Sequence, residues 1–241
     1  MGNNPSIRHT KKGSEELEIG PERIAIFTGH FGSGKTETAI NYSIASARAG
    51  KKTIIVDLDI VNPYFRSTDK KDVLNNAGIE VISPNFAGTG LDVPSLPARI
   101  YSVFQNKEYR VVFDVGGDDI GAVALGSFNP YFKQEDYRMY YVINVHRPLS
   151  GNKKDIIEML RSIENHSRLG VTHLINNSNL SYETTFYDII KGQPMVEEVS
   201  KECNIPIAYI SGMPEVIGNL PPDLKAKAFP INIFLHPIWD Q

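Results

Sequence analysis

With Cys203 as its one cysteine, the chain of 241 residues cannot close an internal disulfide, which fits a reducing compartment. The thiol itself reads as semi-buried, late in a helix. Positive charge is not in excess: 25 Lys and Arg against 28 Asp and Glu leave a formal net charge of −3. No basic field is therefore offered to DNA or RNA, and a nucleic-acid partner is not expected. No apolar run approaches the roughly 20 residues of a membrane span, and no secretory signal opens the sequence. A cytoplasmic chain without stable membrane insertion is expected. The opening Met1-Gly2-Asn3-Asn4-Pro5-Ser6 fits the loose myristoylation pattern, but so permissive a match carries less weight than a plain polar extension. Residues 1–20 lack apolar periodicity and are expected to be a mobile tail. Hydrophobic content of 41% supports a sizeable core, and no linker divides residues 21–241, which read as one domain.

From Arg23 onward, short β-rich runs alternate with helical stretches. Strands are expected at residues 23–28, 53–57, 79–82, 110–114, 139–143, 172–176 and 205–210. Helices are expected at 36–49, around 72–74, at 95–105, at 153–166 and at 183–202, the last interrupted near Gly192-Gln193-Pro194. Repeated strand–helix units predict an α/β three-layer sandwich, a mainly parallel seven-stranded sheet with helices on both faces. The apolar end, residues 229–239, is expected to be an edge strand rather than a contact surface.

The densest chemistry lies at Gly29-His30-Phe31-Gly32-Ser33-Gly34-Lys35-Thr36, which matches the P-loop pattern G-x-x-x-x-G-K-[ST]. A buried strand precedes it and a helix follows it, the setting the motif requires. Glycines let backbone N–H groups converge on phosphate oxygens, and the helix N-terminus adds partial positive charge. Lys35 supplies a cation for the outer phosphates and Thr36 a hydroxyl ligand for Mg²⁺. Glu37 completes the set assigned to the nucleotide in this loop. Asp57 and Asp114 end apolar strands at the sheet edge where ligands gather in open α/β folds. Asp114 after Val111-Val112-Phe113 is the Walker-B arrangement, expected to hold Mg²⁺ together with Thr36. Asp57 and Asp59 are two residues apart, share a face if the strand continues, and could order an attacking water. With Lys35 and Asp114 they form the expected catalytic group. Gly117, just after the Walker-B acid, could offer its N–H to a γ-phosphate and move when that phosphate leaves. Gly121, Ala122, Ala124 and Gly126 continue a small-residue stretch, read as a sliding segment or a tightly packed helix start.

The loop Gly-His-Phe-Gly-Ser-Gly-Lys-Thr, the segment Ala-Gly-Lys-Lys ending the next helix, Val-Asp-Leu-Asp and Asp-Val-Gly-Gly together resemble the MinD/ParA/CobQ/CobB group of P-loop proteins, a SIMIBI-class nucleotide-binding domain. The resemblance in layout runs over about residues 23–211. It implies a strand order 3-2-4-1-5-6-7 with ATP and Mg²⁺ at the carboxyl edge, and it matches Asn176 to the asparagine that contacts adenine. One departure stands out. The MinD/ParA branch carries a second lysine where this sequence has His30, so a homodimer, if formed, is not expected to be driven by ATP. The loop is also similar to that of the signal-recognition GTPases, with Arg66 near the position of their first switch. No Thr-Lys-x-Asp guanine-reading sequence follows the sixth strand, where Ile175-Asn176-Asn177-Ser178 stands instead, and ATP is favoured.

Three functions stay open on these residues: an ATPase whose hydrolysis switches a conformation read by a protein partner, an ATP-dependent ligase or amidoligase acting on a small acidic substrate (the CobB or dethiobiotin synthetase type), and a nucleotide-binding module with little turnover. Asn62-Pro63-Tyr64-Phe65 recurs as Asn129-Pro130-Tyr131-Phe132, a possible paired aromatic surface or merely two packed turns. Arg147, after the fifth strand, could face the crevice and bind an anionic second substrate, or be a surface residue without that task.

Overall fold

Five consecutive buried residues, Ile24–Thr28, form β1, the strand ahead of the glycine-rich loop. In the computed structural model, which describes residues 19–59, 67–83 and 98–235, the chain continues through α1 (Lys35–Arg48), β2 (Thr53–Leu58), α2 (Lys71–Asn76), β3 (Glu80–Ile82), α3 (Ala98–Gln105), β4 (Arg110–Val115), α4 (Asp119–Gly126) and α5 (Asn129–Phe132). Then follow β5 (Tyr137–Ile143), α6 (Lys153–Ser167), β6 (His173–Asn176), α7 (Phe186–Cys203), β7 (Ile207–Gly212), α8 (Pro214–Ile217), α9 (Pro222–Lys225) and β8 (Ala228–Pro230). The strands make one sheet in the order β3-β2-β4-β1-β5-β6-β7-β8, and each neighbouring pair is parallel. Seven strands take the expected order. The eighth adds a short edge at the start of the apolar C-terminal stretch.

Alternation along each strand divides the core between the two faces of the sheet. Ile24, Ile26, Val56, Val111, Phe113, Tyr141 and Leu174 pack in a cluster with Val103 of α3, Leu125 of α4, Leu160 of α6 and Val196 of α7. Ala25, Phe27, Ile55, Val112, Tyr140 and Ile175 pack on the other side with Ala39, Ile40 and Tyr42 of α1 and Leu74 of α2. The expected three layers are therefore present. Ile19 joins the second cluster and the Gly20 N–H donates to the Tyr209 hydroxyl at 3.1 Å.

Helix α7 corrects one expectation. It runs unbroken from Phe186 to Cys203 with Pro194 inside it. An interior proline removes a helix hydrogen bond at a cost of about 3 kcal/mol, so packing must offset it. Gly192 lets the helix press against the chain after β6, where a Cβ would meet Ser178 Oγ at 2.4 Å. Gln193 accepts from Asn176 Nδ2 at 2.8 Å, and Ile189, Val196 and Val199 are buried. The Gly-Gln-Pro triplet marks close approach, not an interruption. Residues 119–126 form α4, whose small residues serve tight packing: a Cβ on Gly126 would lie 2.8 Å from the His166 carbonyl of α6. In the second Asn-Pro-Tyr-Phe copy, Phe132 is buried and Asn129 donates to the Arg168 carbonyl, while Tyr131 stacks on Phe104. That copy is a packed turn. The first copy, with Arg66 and Trp239, lies outside the described residues.

Below the sheet, Glu22 is 1% exposed and accepts from the Tyr42 hydroxyl at 2.5 Å and the Tyr140 hydroxyl at 2.7 Å, with Arg138 Nε at 3.3 Å from its other oxygen. This carboxylate ties the entry of β1 to α1 and β5. Glu22→Ala would leave two buried hydroxyls without their acceptor, a loss of about 3 kcal/mol. Glu22→Gln, which keeps a carbonyl acceptor, should lose less. Urea unfolding of the two variants checks the order; equal stability of Glu22→Ala and the parent protein would refute it.

Candidate functional site

Because β1 lies between β4 and β5, the loop leaving its carboxyl end meets the ends of both neighbours. Gly34 enters α1 in the left-handed region, φ 85°, and α1 has no side-chain cap. By contrast Asn152 caps α6, and Thr185 forms a capping box at α7. The first-turn N–H groups of α1 thus stay available to an anion, the arrangement a phosphate needs. Gly34 is further restricted by Asn177, whose Nδ2 would lie 2.2 Å from a Cβ at that position and donates to the Ser33 carbonyl at 2.7 Å.

Four charged residues assigned from sequence come together here. Thr36 Oγ1 donates to Asp114 Oδ1 at 3.2 Å, and Lys35 Nζ stands 3.0 Å from Asp59 Oδ2. Asp57 and Asp114 are register partners on β2 and β4. Lys35, Thr36, Asp57, Asp59 and Asp114 are all buried. Three carboxylates face one ammonium, and burial followed by the Asp57 charge holds Asp114 well above the ordinary carboxylate range, with Lys35 and Thr36 opposing. Asp114 Oδ2 is buried without a hydrogen-bond partner among the described residues. A divalent cation beside Thr36 and Asp114 would relieve both features. Among the described residues no group of three His, Cys, Asp or Glu side chains converges into a metal cage.

The two acids of β2 have separate tasks. Asp57 accepts from the Asp59 N–H at 3.0 Å, the Thr68 N–H at 3.2 Å and the Thr68 hydroxyl at 2.6 Å. Its carboxylate holds the 3-10 turn Ser67–Lys70, and burial raises it against those hydrogen bonds. Asp59, just past the end of the strand, is the acid that faces Lys35. Gly117 sits so close to the loop that a Cβ would lie 1.9 Å from the Gly29 carbonyl oxygen, so the backbone after the Walker-B strand touches the P-loop directly.

The remaining expected residues are placed as follows. His30 is buried, with Nδ1 3.0 Å from the Phe31 carbonyl, while Phe31 is 61% exposed. Asn176 is fully buried; its amide donates to Gln193 and its carbonyl accepts from the Ser178 N–H. Its neighbour Asn177 is the one that reaches the P-loop, a role not assigned from sequence, although the Asn-Asn pair stood at the expected strand end. Glu37 turns its carboxylate to the backbone N–H groups of Phe234 and Leu235, and burial pushes it up to about 7 against those two hydrogen bonds. Arg147 lies along Gly32, Nε donating to its carbonyl at 3.1 Å.

No protein-family model matches the chain, and no curated protein matches it in sequence. Among the described residues no helix is long and apolar enough to cross a membrane. Solved structures of signal-recognition proteins do match in fold. The cell division protein FtsY from Thermotoga maritima shares 17% identity at a TM-score of 0.52, over 81% of this chain and 63% of that one. The 54 kDa signal recognition particle protein from Aeropyrum pernix, in complex with GDP, shares 15% at 0.51, over 83% and 43%. FtsY from Mycoplasma mycoides shares 15% at 0.50, over 78% and 59%. The chain therefore spans less than two thirds of the length of each of these structures, and at such identities the likeness is one of fold: the chain has the architecture of a P-loop nucleotide-binding domain.

Proposed function

We propose that the protein is a Mg²⁺-dependent ATPase whose hydrolysis changes a surface read by a protein partner. The observation that carries this reading is the pairing of Thr36 with Asp114, whose second oxygen lacks a partner, beside Lys35 at the uncapped start of α1. The loop N–H groups from Gly29 to Thr36 would receive the phosphates and Lys35 would neutralise the outer ones. Thr36 and Asp114 would hold the metal, which when bound supplies charge neutralisation and orientation of the phosphate oxygens. Asp59, released from Lys35 as the lysine turns to the phosphates, would order the attacking water. Gly117, against the Gly29 carbonyl, would report the outer phosphate to α4.

ATP is preferred to GTP because a guanine reader needs a carboxylate for the ring N1–H and the exocyclic 2-amino group, and Asn176, Asn177, Ser178 and Asn179 supply amides and a hydroxyl only. The signal-recognition protein that matches in fold was solved with GDP, so both nucleotides belong in the test. A second reading has one observation in its favour. Arg147 beside Gly32 puts a cation at the loop, where an acidic co-substrate could meet an activating phosphate in a ligase reaction. Phosphate release that requires an added carboxylic acid would favour it.

Lys35→Ala should weaken nucleotide binding more than tenfold, about 1.5–3 kcal/mol for a lost charge-assisted contact, with the fold retained. Calorimetry with ATP and with GTP checks this, and unchanged affinity would remove the loop from the site.

Asp114→Asn should depress Mg²⁺-dependent hydrolysis while metal-free nucleotide still binds. A normal MgATP turnover rate in that variant would exclude Asp114 as a metal ligand.

His30 stands where a charged lysine would bridge two nucleotides, and its ring is folded onto the Phe31 carbonyl. MgATP alone should therefore leave the assembly state of Asp59→Ala, chosen to slow hydrolysis, unchanged from that with ADP or no nucleotide. Light scattering that showed a dimer only with MgATP would refute this.

A further inference from the structure

After β8 the chain turns back over α1, and its backbone is held by side chains of that helix. Asn41 accepts from the Asn232 N–H at 2.8 Å and donates to the Asn232 carbonyl at 2.9 Å, a two-bond pair like a strand ladder. One turn earlier, the two oxygens of Glu37 take the N–H groups of Phe234 and Leu235. Phe234 and Leu235 also pack on the cluster that contains Ala39 and Ile40. The residue at the centre of this latch follows Thr36 directly and sits two places after Lys35, in the first, uncapped turn of α1.

A carboxylate at this position works against the site it adjoins. Ionised and largely buried, it would repel a polyphosphate bound at the same helix turn. Its two N–H donors from residues 234 and 235 offset that charge, and Lys70 of the 3-10 turn adds to the offset. The segment 231–235 thus neutralises an acid that would otherwise oppose the nucleotide. It also fixes the first turn of α1 from outside, so the backbone donors for the phosphate are already in place.

We propose that Glu37 is a positioning residue coupling residues 231–235, as a strap, to the nucleotide site: docking of the strap strengthens nucleotide binding, and the nucleotide holds the strap down in return. The inference rests on the nucleotide-binding reading above and goes beyond it in giving the C-terminal strap a task.

The experiment uses the full chain and four proteins: the parent, Glu37→Gln, Leu235→Pro and the double variant. Affinity for a non-hydrolysable ATP analogue with Mg²⁺ is measured by calorimetry, with the GTP analogue in parallel, and circular dichroism checks folding. Leu235→Pro deletes one donor and should cost about tenfold in affinity, the scale of one charge-assisted bond. Glu37→Gln alone should cost a few-fold, about half an order of magnitude, because one side of its amide cannot accept. In the double variant the bare charge is gone, so much of the Leu235→Pro loss should be recovered. A merely structural latch would instead make the two losses add. Hydrogen exchange at residues 232–235 should slow on adding the analogue to the parent, and Asn41→Ala should abolish that slowing should Leu235→Pro fail to fold. Additive losses, or exchange indifferent to nucleotide, would overturn the coupling alone. A parent protein that binds neither analogue would overturn the site reading and the strap with it.

Discussion

Thr36 and Asp114 lie 78 positions apart in sequence and 3.2 Å apart in space, and the arrangement of the site depends on that approach. It requires β4 beside β1 in parallel register, with Phe27 opposite Asp114. It also requires α1 to lie flat on one face of the sheet, which the burial of Ala39, Ile40 and Tyr42 secures. A parallel neighbour needs a crossover, and here the crossover runs through β2, β3 and α3 before β4 returns to the centre. The carboxyl ends of β1, β2 and β4 then fall at one edge, and the acids of β2 and β4 arrive beside the loop of β1. Nothing else in the sheet needs to be special for the site to form.

Burying three carboxylates and a lysine at that edge is costly unless each charge has an answer. Asp57 is answered by the Thr68 backbone and hydroxyl, and Asp59 by Lys35. Asp114 has the Thr36 hydroxyl on one oxygen and, among the described residues, no partner on the other. The incomplete answer falls at the acid of β4, which, unlike Asp57 in the equally buried β2, has no turn donating to it. The strand cannot shift to solvate it without breaking ladders on both sides. Under the proposed function a metal with a polyphosphate would relieve it, and Lys35 would then exchange one anion for another.

How much of this could be read from the amino acids follows the range over which each feature acts. The loop Gly29 to Thr36 was legible because its chemistry lies within eight consecutive residues. The strands were legible because a doubly covered parallel sheet turns buried positions into continuous apolar runs. Asp57 and Asp114 followed from their place at strand ends. The separate tasks of Asp57 and Asp59 did not, since two residues at similar positions differ only in what the Ser67–Lys70 turn offers. Pro194 misled for a related reason. Propensity ends a helix there, and the compensating contacts come from Asn176 and Ser178, on a different element. The Glu37 latch spans 197 residues of sequence, and no local pattern announces it.

The side of the site formed after β6 shows how adjacent identical residues acquire different work. Asn176 ends β6 and Asn177 follows it, so their side chains leave on opposite sides of the chain. The first is drawn to Gln193 on α7, the second to the Ser33 carbonyl of the P-loop, while Ser211 of β7 donates to the second at 2.8 Å. Loop, sixth strand, seventh strand and α7 are thereby joined by side-chain amides, groups that each give and accept and so can be satisfied in full where a charge could not. Between the loop and α7 these amides, with the Ser211 hydroxyl, hold their geometry without an ion, and a charge enters only at the outer end, where Gln193 donates to the Glu197 carboxylate at 2.9 Å. The side of Lys35 and Asp114, built from ions, instead leaves part of its balance open. Under the proposed function, a rigid neutral wall beside an electrostatically incomplete one would let the nucleotide change the second while the first stays still. That asymmetry would put any conformational response to the phosphates on the side of Gly117 and α4, not on the side of Asn177 and α7.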